Sequence, residues 1–94
     1  MANSVKLRLF RQLVARRVET EVAREKGVSR SEAMELVDAG LTDAVWKRAL
    51  VESKAQVPKG LGDGKILQWI IDHEDQIAAL VTMIVKIILS FSGE

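Results

Sequence analysis

The stretch from Lys65 to Phe91, KILQWIIDHEDQIAALVTMIVKIILSF, decides how this chain is read. Ile66, Ile70, His73, Ile77, Leu80, Ile84, Ile87 and Phe91 follow one another at alternating steps of four and three. That spacing is a heptad seam along one side of a helix. A second line runs beside it through Leu67, Ile71, Ala78, Val81, Val85 and Ile88. At 100° per residue the two lines cover an apolar arc of roughly 200°. A surface helix needs only about 100°. The segment is therefore expected to form one long helix, roughly 40 Å at 1.5 Å per residue, that buries two sides.

The rest of the helix surface is a polar stripe of Gln68, Asp72, Asp75, Gln76, Thr82, Lys86 and Ser90, with Ala79 and Met83 inside it. A spanning helix needs about 20 mostly apolar residues. The clean run from Ile77 to Phe91 is shorter, Lys86 interrupts it, and Asp72, His73, Glu74 and Asp75 lie upstream. A lone spanning helix is disfavoured. The arc is expected to pack in an oligomer or larger assembly, or, as an alternative, copies turn the polar stripe inward in a membrane.

Upstream, residues 4–26 read as a helix, because Leu7, Phe10, Val14, Val18 and Val22 recur at helical steps. The alternation Val5-Lys6-Leu7-Arg8-Leu9 is a strand signal with no second strand to pair with. Gly27 suits a helix end. Ser29-Arg30-Ser31-Glu32 has the capping-box form and opens a short helix to about Ala39. After Gly40, Thr42 caps a third helix to about Ala55, with Leu41 and Trp46 placed as a hydrophobic staple. Pro58 with Gly60, Gly62 and Gly64 marks a break. The expected organisation is all-α: an N-terminal unit of two to three helices over 1–57, a Pro/Gly hinge over 58–64, and the assembly helix over 65–94.

Composition narrows the classes of function. The chain has 94 residues, 48% of them hydrophobic and 29% charged, which is a globular composition. Chains this short often need outside stabilisation. With no cysteine and a single histidine, neither a disulfide nor a metal site is expected to supply it. Self-association is the remaining source. The net charge of +1 conceals an uneven distribution, since residues 1–60 carry an excess of four positive charges and residues 61–94 an excess of three negative ones. No apolar segment follows the start, so no signal peptide is expected, and the protein is placed inside the cell or in an assembled particle, with a membrane surface as the alternative.

Several motifs bear on chemistry. His73 on the seam would recur as a ring in a symmetric oligomer and sense pH or hold a metal; the simpler reading is a hydrogen-bonded histidine. Asp72, Glu74 and Asp75 point in different directions on a helix and read as a solvated acidic turn. The run Gly60 to Lys65 is not a phosphate loop, because Lys59 stands where the first glycine belongs and Ile66 where Ser or Thr belongs. Lys6, Arg8, Arg11, Arg16 and Arg17 are candidates for contact with an anion, nucleic acid or lipid, but on a helix they scatter around the axis. Residues 30–53 resemble a helix-turn-helix only at low resolution, with Leu36 where a small residue is usual. No nucleophile and base constellation exists, and neither enzyme activity nor a cofactor or small-molecule substrate is expected.

The expectation is thus a non-enzymatic structural or assembly protein of shell, capsid or filament type. Its interface residues are Ile66, Trp69, Ile70, His73, Ile77, Leu80, Val81, Ile84, Ile87, Ile88 and Phe91. A small membrane-associated or pore-forming oligomer is the first alternative. A nucleic-acid-binding accessory protein is the second.

Overall fold

A computed structural model describes residues 2–59 and 63–91, with side chains for 8–59 and 64–91. Five helices follow in order: α1 (Ala2–Lys26), α2 (Arg30–Gly40), α3 (Asp43–Ser53), α4 (Asp63–Asp72) and α5 (Glu74–Phe91). No strand occurs among the described residues. The alternating residues near the start are helical, and the first helix begins at Ala2, slightly earlier than the spacing predicted.

The stops and starts follow local chemistry. Gly27 takes φ 66°, and the amide of Val28 donates across it to the Ala23 carbonyl at 3.1 Å. That bond satisfies a carbonyl left over at the end of α1, as in a Schellman motif. The capping box at α2 is complete: the Glu32 amide donates to Ser29 Oγ at 3.1 Å, and the Ser29 amide donates to Glu32 Oε1 at 3.3 Å. Ser29→Ala should therefore destabilise the protein by about 1 kcal/mol, read as a lower urea midpoint at unchanged slope. Thr42 caps α3 through Val45 N at 3.2 Å. That helix ends at Ser53, two residues before the expected boundary, where Lys54 enters the left-handed region at φ 58°.

The long C-terminal helix is corrected to two. The chain breaks helix at His73, between α4 and α5. His73 Nδ1 lies 2.8 Å from the Trp69 carbonyl, and since a carbonyl only accepts, Nδ1 carries the proton and donates. The His73 amide shares that same carbonyl at 3.1 Å and also reaches Ile70 O at 3.2 Å. The imidazole is thus a second donor on a carbonyl that already closes the last turn of α4. The imidazole also stacks on Trp69, 3.9 Å between centroids and 15° between planes, which holds it there.

One core serves both sides of the Pro/Gly turn. Phe10, Val14, Val18 and Val22 are each fully buried on α1 and pack with Ile77, Leu80, Ile84 and Ile88 of α5 in a single apolar cluster. Helix α1 lies against α2, α4 and α5, while α3 lies against α5 on another side. The wide arc of α5 is thus covered by three helices of its own chain. At the centre Phe10 meets Trp46 edge-on at 5.9 Å and Trp69 at 5.6 Å. Helix α2 approaches α5 most closely at Gly40, where a Cβ would stand 3.1 Å from Ile88 Cγ1. The turn itself is held in place: Pro58 is buried, Ala55 and Val57 pack on the core, and Gln76 Nε2 donates to the Gln56 carbonyl at 3.1 Å. The expected hinge residues Gly60, Leu61 and Gly62 lie outside the described residues.

Candidate interaction surface

The eleven seam and flank residues expected at an interface divide into two groups. Ile66, Ile70, Ile77, Leu80, Val81, Ile84, Ile87 and Ile88 are buried inside the chain itself. Trp69 and His73 are half-buried against each other, and Phe91 is 66% exposed at the end of α5. The second apolar line is buried only at its later members. Val81, Val85 and Ile88 on α5 are buried, Ala78 before them is exposed, and Leu67 and Ile71 on α4 are 56% and 54% exposed. They lie four residues apart, so they are neighbours on one helix face. Gly64 and Gln68 beside them are exposed as well. Position 74 of that line is Glu74, and this interruption was the sequence signal that the arc narrows there.

Two members of the basic run, Arg11 and Arg17, are engaged within the molecule. Arg11 donates to Asp43 Oδ1 at 2.7 Å and to the Leu41 carbonyl at 3.0 Å, and its guanidinium lies 5.6 Å from the Trp46 ring centroid. The hydrogen bond and charge of Arg11 hold the Asp43 carboxyl below its ordinary range. Arg17 donates to Glu74 Oε2 at 2.8 Å and lowers that carboxyl in the same way, against the opposing effect of desolvation. Arg8 and Arg16 are exposed and form no salt bridge among the described residues. The Lys6 side chain lies outside the described residues. In the acidic cluster, Glu74 is held by Arg17, Asp72 accepts from Gln68 Nε2 at 2.9 Å, and Asp75 is exposed.

Sequence reasoning missed a groove bounded by α1, α3 and the end of α2. It is open and encloses about 900 Å³. Buried or half-buried Ala15, Val37, Leu41, Trp46, Leu50 and Val57 form its floor. Arg8, Asp38, Asp43 and Lys47 stand exposed around it, with Arg11 bridging to Asp43. Nothing in the spacing of α1 or α3 alone announces this groove, because it arises from how the two helices splay. A smaller hollow of about 430 Å³ between α1 and α5 is crossed by the Arg17–Glu74 pair.

Among the described residues, no three His, Cys, Asp or Glu side chains gather as metal ligands. No helix among them is long and apolar enough to cross a membrane. The chain matches no protein-family model, and neither a curated protein nor a solved structure shows significant similarity to it.

Proposed function

We propose that this chain is a non-enzymatic structural protein that associates with copies of itself, alone or within a larger assembly. The observation that supports this reading is the pair Leu67 and Ile71, each more than half exposed on α4 while most large apolar side chains of α5 are buried. One turn apart, the two form a small continuous apolar surface. Phe91, exposed at the far end of α5, extends the apolar surface open to association. The interface so proposed is the outer face of α4, not the buried heptad seam.

Light scattering on a sizing column, in detergent-free buffer, tests this. The wild-type chain is expected as a discrete oligomer of its 10.4 kDa protomer. A Leu67→Lys, Ile71→Lys double variant should run as a monomer with an unchanged helical circular dichroism spectrum. A wild-type monomer at every accessible concentration would end the proposal. Material that stays in solution only with detergent or lipid would favour the membrane-associated alternative.

A further inference from the structure

We infer that the groove between α1 and α3 receives α4 of a second copy, so that the copies join head to tail; this rests on the self-association proposed above. The groove and the α4 face are complementary in three respects. The first is size. Helix α4 has ten residues, about 15 Å of helix, and the groove is an open pocket of about 900 Å³. Laying the apolar face of a short helix into an apolar groove is a recurrent mode of recognition.

The second is hydropathy. Leu67 and Ile71 offer an apolar pair one turn apart, and Trp46, Leu50 and Val57 offer an apolar floor. Leu67 and Ile71 are more than half exposed, while Leu50 and Val57 are half-buried and Trp46 is buried with the Arg11 guanidinium beside its ring.

The third is charge. Arg11 and Asp43 neutralise each other at the groove, which leaves Arg8 and Lys47 as exposed cations and Asp38 as an exposed anion. None of these three forms a salt bridge among the described residues. The exposed charges of α4 and the break are the mirror set: Asp72 and Asp75 at one end, Lys65 at the other. Opposed potentials of this kind fix register and suppress wrong partners. They also place the excess positive charge of residues 1–60 against the excess negative charge of residues 61–94 of the next copy.

Because the giving and receiving surfaces are different, the contact is heterologous. Such contacts close into rings or continue as filaments. Each added copy carries a fresh α4 face and a fresh groove.

The test is a charge-reversal cycle read by light scattering, with circular dichroism to verify folding; all four positions are exposed. One variant carries Arg8→Glu and Lys47→Glu, the other Asp72→Lys and Asp75→Lys. Each alone faces like charge with like charge, so each is expected to run as a monomer. Mixed at equal concentration they should assemble in alternation into a species larger than either alone, since each α4 now meets a groove of opposite sign. If Leu67→Lys with Ile71→Lys abolishes association but the groove variant retains the wild-type size, the groove is not the receptor and self-association through α4 stands. If both charge variants are monomeric and their mixture stays monomeric, the pairing is likewise wrong. If the wild type is itself a monomer, this inference falls together with the reading beneath it.

Discussion

Phe10→Ala should lower the free energy of unfolding by about 3–5 kcal/mol, the largest effect expected of any single truncation in this chain. Phe10 is fully buried and touches Trp46 of α3 on one side and Trp69 of α4 on the other, both edge-on. Each such aromatic pair contributes about 0.5–1.5 kcal/mol beyond the area it buries. Alanine would remove both pairs at once and leave a cavity where three helices meet. The surrounding side chains are held by helices on every side, so the cavity has little room to collapse. A small domain is stable by only about 5–15 kcal/mol in total, so the variant should retain a fraction of its cooperative transition. Urea unfolding followed by circular dichroism is the suitable measurement, because the substitution alters the environment of both tryptophans and would confound fluorescence. A loss under about 1 kcal/mol, the range of surface substitutions, would mean that α1 does not hold the two tryptophans together.

The second large effect concerns a whole segment. A chain ending at Gly64 should not fold. It would lack nine of the nineteen apolar residues buried among the described residues: Ile66, Ile70, Ile77, Leu80, Val81, Ile84, Val85, Ile87 and Ile88. At roughly 1.5–3 kcal/mol for each large aliphatic side chain fully buried, their gross contribution exceeds the net stability of a typical domain. Phe10, Val14, Val18 and Val22 would then face water. The expected result is a largely unfolded fragment, with a collapsed helical circular dichroism signal and poor amide dispersion. A fragment that kept a cooperative melt would show that residues 1–57 form a unit of their own.

These two expectations mark where the sequence was legible and where it was not. The helices of the N-terminal half were readable because their signals are local. Phe10, Val14, Val18 and Val22 sit at four-residue steps, Ser29 and Glu32 form a box within one turn, and Gly27 marks a left-handed stop. The wide apolar arc of the C-terminal segment was equally plain. What the pattern does not encode is whose atoms cover it. Periodicity measures the width of a face and carries no record of which helices lie on it. In the fold, α1, α2 and α3 share the task, each covering a different strip of α5. The break at His73 was hidden for a related reason. It depends on an imidazole finding the Trp69 carbonyl and the Trp69 ring together, and heptad spacing passes over that position undisturbed. The Arg17–Glu74 pair joins residues 57 apart in sequence, beyond the reach of any local rule. The groove was least legible, being a property of the space between helices.

The central place of α1 also governs the order in which the protein can be made. During synthesis α1 leaves the ribosome well before its partners in α4 and α5. Contacts this distant in sequence form late and slow folding. Until α5 emerges, the nascent chain carries an amphipathic helix with a bare apolar stripe, the kind of surface that chaperones shield and that aggregation exploits. These helices are therefore committed to fold only once α5 has emerged and can close over α1.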